Sequence, residues 1–331
     1  MLRTKLIFAA IVLALALFSG CGGGSTTPPI TTSTTTSTPP TTPPTPPPPA
    51  PTPTPQINHV VLVVLENHGF NTIFRNPAAP YLNDLAARYG LATNYYGNSH
   101  GSLKDYFMLA TGVAASENGS FIGLYTADNL VRELIAGKKT WKSYAMSLPS
   151  VGFIDDAYPY LKKHNPFVYL SDVVNDPSQR ANLVPLTQFS TDLAAGTLPN
   201  FSYVLGDMVH DMHDCPGGAG VTCPDTDKIV AGDAWLKANI DPVIANPVFQ
   251  SDGLLIIVFD EAEDIDTTNG GGHVMGVLVG PFIKAGFQST TFYQHENTLR
   301  LVCDALHLPA CPGAAANAAK MTEFFVPPSP I

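Results

Sequence analysis

Charge is scarce in this chain, and positive charge scarcest of all. Only 13% of the 331 residues are charged, and 17 lysines and arginines face 27 aspartates and glutamates, for a net charge of −10. That deficit argues against a nucleic-acid partner and against unaided adsorption to anionic lipid. Beyond the first twenty residues no apolar run approaches the roughly 20 residues a bilayer span needs. No internal repeat is present, which excludes a solenoid.

The first twenty residues read as an export signal. Arg3 and Lys5 precede a nearly pure apolar run from Leu6 to Phe18, and Phe18-Ser19-Gly20 leads straight into Cys21. This resembles a bacterial lipoprotein processing site, with cleavage before Cys21 and lipid attached to it. An ordinary signal peptide followed by a cysteine is the alternative. Removing Arg3 and Lys5 takes the charge from −10 to −12. Residues 21–56 are then a glycine-led, Thr/Pro-rich linker without the apolar residues a core requires. In polyproline form, at roughly 3 Å per residue, it would hold the next domain nanometres above a membrane.

Residues 57–331 are long enough for one large α/β domain. Its four cysteines fall into two close pairs, Cys215 with Cys223 and Cys303 with Cys311. In an exported chain an even count reads as disulfides, and the short loops favour local pairing. A zinc knuckle is the rival, disfavoured by the wide separation of the pairs.

Short apolar runs at His59 to Leu65, Phe201 to Leu205, Leu254 to Phe259 and Val274 to Val279 read as buried strands. Helical spacing appears at Pro80 to Tyr89, Lys228 to Ile240 and Glu296 to Leu306. The alternation predicts a mostly parallel central sheet with helices on both faces. Ligands of such sheets lie beyond the carboxyl ends of the strands. Polar clusters stand there: Glu66-Asn67, then 207–214 with Asp211, His213 and Asp214, then Asp260-Glu261, with His273 before the last run. Carboxylates and imidazoles converging on one edge are ligands for a divalent cation, one or two ions, with Zn, Mn, Mg and Ca all open. Such a cation would also reverse the field of an acidic protein toward an anionic substrate. Ser102 opens a further helical stretch, where amide N–H groups and the helix dipole favour an anion; a plain N-cap serine is the rival reading.

These segments carry a resemblance. Val-Val-Leu-Glu66-Asn67-His-Gly-Phe, His100-Gly-Ser102-Leu, Thr-Trp141-Lys-Ser-Tyr, Lys-His164-Asn-Pro166-Phe, Asp211-Met-His213-Asp214, Gly-Asp233-Ala-Trp and Phe-Asp260-Glu261 follow one order across residues 57–308. The chain resembles the phosphoesterase family of secreted acid phosphatases and bacterial phospholipases C, within the alkaline phosphatase superfamily. The resemblance implies an alkaline-phosphatase-like fold and a phosphatase rather than a sulfatase, because Ser102 lacks the sulfatase flank. It implies Ser102 as nucleophile; Glu66, Asn67, His213, Asp260, Glu261 and His273 as metal ligands, with Asp211 among them; and Asn67 as a phosphate contact. His164 would touch phosphate or protonate the leaving group, or be a core or surface histidine. His295 is expected to be structural.

One departure stands out. Where the family has Pro-Asn after the nucleophile, this chain has Lys104-Asp105. An ionised Asp105 only accepts hydrogen bonds, so Lys104 is expected to supply the lost donor to phosphate; Asp105 as a metal ligand, or protonated, are the alternatives. The expected activity is monoester hydrolysis through a phosphoserine in the bacterial cell envelope, on a phosphorylated small molecule or lipid headgroup such as a phosphoinositide. The expected chain is a monomer, held to a membrane through Cys21. The rivals are a phospholipase C-type diesterase and a non-catalytic surface lipoprotein.

Overall fold

The computed structural model describes residues 56–115, 121 and 123–327. The leader, Cys21 and the linker up to residue 55 lie outside the described residues.

Eight strands form one sheet in the order β4-β3-β5-β1-β6-β7-β2-β8. They are β1 (His59–Leu65), β2 (Gly90–Tyr96), β3 (Trp141–Ala145), β4 (Leu183–Pro185), β5 (Phe201–Leu205), β6 (Gly253–Phe259), β7 (His273–Val279) and β8 (Gln288–Ser289). The central three, β5, β1 and β6, are parallel and almost wholly apolar, so both faces can be covered. The expected mixed α/β architecture with a mostly parallel sheet is the one found.

One expected strand departs from a purely parallel set. β7 pairs antiparallel with both β6 and β2. An apolar run carries no mark of its direction; the connection 260–272 contains no helix, and a parallel crossover usually needs one. The reversal brings His273, at the start of β7, beside Tyr96, at the end of β2.

Register then places the polar clusters. Leu65 is level with Phe259, so the next residues, Glu66 and Asp260, emerge abreast at the carboxyl edge. Val63 is level with Val204, which brings the segment after β5 to the same edge, where Glu66 N–H donates to Asp211 O at 2.8 Å. The helix Ser102–Thr111 is buried along its length except at Lys104, which is partly exposed. The long helix Asp225–Ile244 braces this edge through Asp233, which accepts from the N–H groups of Tyr81 and Leu82 at the start of the helix Pro80–Arg88. A buried carboxylate so placed satisfies the orphan donors of a helix that begins with proline.

Candidate active site

Ser102 sits where the strand ends converge. Gly101 adopts φ +101°, a conformation open to glycine, and its N–H donates to Glu261 Oε2 at 2.8 Å. That turn delivers the Ser102 hydroxyl to two carboxylates, 3.0 Å from Glu66 Oε2 and 3.2 Å from Glu261 Oε1. Asn67 lies in the left-handed region at φ +57°, held by donation of its N–H to Asp260 Oδ1 at 3.0 Å. A non-glycine residue in that region costs free energy, and such outliers gather at functional sites.

Each carboxylate has its own brace. Tyr106, one helical turn after Ser102, donates its hydroxyl to Glu66 Oε1 at 2.6 Å. His164 bridges Asp211, at 2.9 Å from Nδ1, and Glu66, whose Oε1 lies 3.2 Å from Nε2 but off the hydrogen-bonding line. His100 Nδ1 lies 2.7 Å from Glu261 Oε2, while its Nε2 meets Asp266 O at 2.8 Å. Burial pushes the Glu66 carboxyl upward, yet His164, His213, Lys163 and the Tyr106 hydroxyl outweigh it and hold it below the usual range. Asp260 goes the other way: burial, then Glu66 and Glu261, push it well above the usual range.

A cavity of about 510 Å³ opens over Ser102. Asn67, Gly101, Ser102, Leu103 and Glu261 form its floor, and Lys163, His213, Asp225 and Lys228 are among its other lining residues, with His68, Glu263 and Asp264. His213 Nδ1 is 2.8 Å from Asp214 Oδ1, and its Nε2 is 3.3 Å from Lys163 Nζ.

Several expected site residues are placed elsewhere. Lys104 does not line the cavity, and Asp105 is wholly buried, accepting from Asn98 N–H at 2.7 Å and Ser99 N–H at 3.3 Å. At about 100° per residue, Lys104 lies some 200° round the helix from Ser102, which is why adjacency in sequence misleads here. His273 Nε2 is engaged by Thr93 O at 2.9 Å, and its ring stacks between Phe70 and Tyr96, at 4.6 and 5.0 Å. Asp211 and His164 are buried behind Glu66 and do not line the cavity. His295 is wholly buried, with Nε2 2.6 Å from Asp260 O and 3.4 Å from Asp105 Oδ1, and Nδ1 3.0 Å from Tyr95 Oη. The disulfides Cys215–Cys223 and Cys303–Cys311 are both formed.

Sequence reasoning passed over Tyr106, His100, Lys163 and Lys228. Tyr106 was legible from its four-residue spacing to Ser102. Lys163 had a fainter signal, the basic run Lys162-Lys163-His164 in a chain otherwise poor in cations.

No three His, Cys, Asp or Glu side chains stand at metal-holding spacing among the described residues. The donor chemistry still fits a hard divalent cation. Asp260 Oδ2 is buried without a hydrogen-bond partner, and one hydroxyl proton on Ser102 serves two carboxylates. Oxygen donors carrying uncompensated buried charge are what such ions take.

The mixed sheet recurs in solved structures of low sequence identity. A protein in the alkaline phosphatase superfamily from Vibrio parahaemolyticus superposes with a TM-score of 0.54 at 11% identity, covering 81% of this chain and 72% of that one. Murine ectonucleotide pyrophosphatase/phosphodiesterase 5 gives 0.54 at 10% identity, covering 81% of this chain and all of the other, 100%. These likenesses establish the fold. Within it, the chain belongs to the phosphoesterase family, whose sequence profile matches residues 72–309. It is a phosphoric ester hydrolase. A phosphatidylinositol-3-phosphatase of Mycobacterium tuberculosis is 29% identical over 279 residues, covering 83% of this chain and 85% of the relative. A phosphate-repressible acid phosphatase of Penicillium chrysogenum is 28% identical over 320 residues, covering 93% and 72%.

Proposed function

We propose that this is an exported, metal-dependent acid phosphatase that hydrolyses phosphate monoesters through a phosphoserine at Ser102. The observation that carries the reading is the Ser102 hydroxyl, held between Glu66 and Glu261 at the start of a helix and open to the cavity. Glu66, Asn67, Ser102, Asp260 and Glu261 are the residues that would hold the cation. When bound, it would supply Lewis-acid stabilisation of developing negative charge.

Ser102 Oγ attacks phosphorus in line, and its proton passes to the neighbouring carboxylate of Glu261. Burial, with Glu66 nearby, raises the Glu261 carboxyl above the usual range, which suits a group that must take and return a proton. The Oγ–P bond forms as the ester P–O bond breaks, and the leaving oxygen takes the proton held on Glu261 and departs as the alcohol. Water gives a proton to Glu261 as it attacks the phosphoserine, the Oγ–P bond breaks, and that proton returns to Oγ as phosphate departs. Asp211 and Tyr106, with His164 between Asp211 and Glu66, fix the Glu66 carboxylate throughout. The amide N–H groups at the helix start favour the anionic phosphate.

The Mycobacterium relative makes phosphoinositide headgroups the lipid substrates to try first. The leader and Cys21 support a lipid-anchored protein in a bacterial envelope, with the Thr/Pro linker as a spacer to a catalytic domain from residue 57. Parallel assays of p-nitrophenyl phosphate, its bis-ester, phosphatidylcholine and phosphatidylinositol 3-phosphate vesicles test the reading. Monoester turnover should exceed diester turnover, and an acid-quenched reaction should carry phosphate on Ser102. Ser102→Ala should lower kcat about a thousandfold or more with the fold intact. A variant retaining over about a tenth of wild-type turnover would remove Ser102 from the mechanism.

A further inference from the structure

The exchange of asparagine for Asp105 leaves the phosphate site short of a donor, and neither Lys104 nor Asp105 faces the cavity. Lys163 does. It is reached from another part of the chain, on the short turn Lys162–His164, where the next residue, His164, is anchored to Asp211 and Glu66. Its ammonium is aimed by a two-step brace. Asp214 Oδ1 lies 2.8 Å from His213 Nδ1, and Nε2 across the ring lies 3.3 Å from Lys163 Nζ.

Two features separate Lys163 from the other cavity lysine. Lys228 is already paired with Asp225 Oδ1 at 3.3 Å, whereas Lys163 has no carboxylate within 4.0 Å among the described residues. The residue after it, His164, also lies 3.2 Å from Glu66 Oε1, which sets the turn beside the carboxylate that meets Ser102. An ammonium without a carboxylate partner keeps its charge for an anion, and two of its three protons remain to be given.

We propose that Lys163, seated on the Asp214–His213 pair, is the charged donor that grips the non-bridging oxygens of the phosphate at Ser102. This rests on the phosphatase reading above and names the group that orients its substrate. Lysine suits the task as a point charge on a flexible stem, and it gains most as the phosphoryl oxygens carry their transition-state charge.

The test compares Lys163→Met, Lys163→Arg and Lys104→Met in the full chain. Three quantities are read: kcat/KM for p-nitrophenyl phosphate, the affinity for inorganic phosphate by calorimetry, and the thermal midpoint. Lys163→Met should lower kcat/KM by about 10- to 100-fold and weaken phosphate binding, with an unchanged midpoint. Lys163→Arg, which keeps the charge, should recover most of both. Equal phosphate affinity and turnover in Lys163→Met and wild type would overturn the assignment, as would a greater loss in Lys104→Met. The phosphatase reading fails separately. Wild-type protein that binds phosphate through Lys163 but hydrolyses no monoester would sink that reading and leave the lysine in place.

Discussion

The floor of the cleft hangs from strand ends, whereas its lysine-bearing wall is assembled from loops. Glu66 and Asp260 emerge at matched positions of β1 and β6 and are both completely buried. Lys163, His213 and Lys228 come from a short turn, the segment after β5 and the helix Asp225–Ile244, and each is only half-buried. The floor is negative and its backbone is locked by a ladder. The wall carries both lysines together with Asp225, and its positions depend on side-chain partners. Rigid ladders suit groups that must meet a reacting atom to a fraction of an ångström; loops suit groups that select what enters.

If the floor is built for a cation, neutralising it should divide stability from activity. Asp260 Oδ2 has no partner, and burial, then the neighbouring carboxylates, push its pKa well above the usual range. In Asp260→Asn the amide oxygen can still accept from the N–H groups of Asn67 and Glu261, which now meet Oδ1 at 3.0 and 2.6 Å. Activity should fall by about 100-fold or more. Bound metal, measured by elemental analysis, should fall with it, while the chelated protein melts higher than chelated wild type because a buried charge is gone. Wild-type turnover after exhaustive chelation, with no metal detected, would break the comparison at its root.

The floor was largely legible in the sequence because it needed only strand ends. Glu66 and Asp260-Glu261 each follow an apolar run directly, so one rule about parallel sheets finds them. The wall required knowing how loops travel. Lys163 and His213 are 50 residues apart, and nothing in either segment announces the other. The direction of β7 was hidden for a related reason: its apolar residues suit either pairing. Lys104 misled because the helix turns it away from Ser102, and Asp105, on the same face as Ser102, is spent on the N–H groups of Asn98 and Ser99. His273 looked like a ligand in a polar cluster, yet its ring is taken up by Phe70 and Tyr96.

Acid should loosen the floor before it releases the braces around the wall. Under the floor, burial pushes His295 down to about 4 from the ordinary 6.5, so the folded protein keeps it neutral where the unfolded chain takes up a proton. The unfolded state therefore binds more protons between those values. The His295 contribution is complete above pH 6.5 and is lost as pH falls toward 4, a total of about 3 kcal/mol. Near the wall, Asp207 is opposed by burial but held low by His210, which is itself raised by Asp207. The Asp207 share is present above its ordinary value and lost below it; the His210 share is present below 6.5 and lost as pH rises through its raised value. Between pH 4.5 and 6 the pair still holds while His295 is already costing stability. Urea midpoints for His295→Gln should therefore fall less than wild type on going from pH 7 to 5, and those for Asp207→Asn should not flatten in this way. Parallel acid slopes in His295→Gln and wild type would erase the distinction.

The two disulfides allow the smallest and cleanest test, because they match in loop length and Cα separation but not in place. Each closes a sequence separation of 8 with Cα atoms 5.8 Å apart. On loop entropy alone, removing either should cost about 2.5 kcal/mol. Cys215–Cys223 joins the two sides of the wall, since His213 lies just before it and Asp225 and Lys228 just after. Cys303–Cys311 ties the end of the helix His295–Ala305 to the following loop, and none of its enclosed residues lines the cavity. The paired variant Cys215→Ser/Cys223→Ser should raise KM for monoesters about threefold to tenfold, because His213 and its lysine lose a fixed base. Its kcat should move less, because the strand-borne floor is untouched. Cys303→Ser/Cys311→Ser should lose similar stability with unchanged kinetics. Thermal midpoints and steady-state constants at one pH decide the matter. If both variants lose the same stability and neither changes KM, the wall is held without its disulfide, and the contrast between ladder and loop fails where it is most exposed.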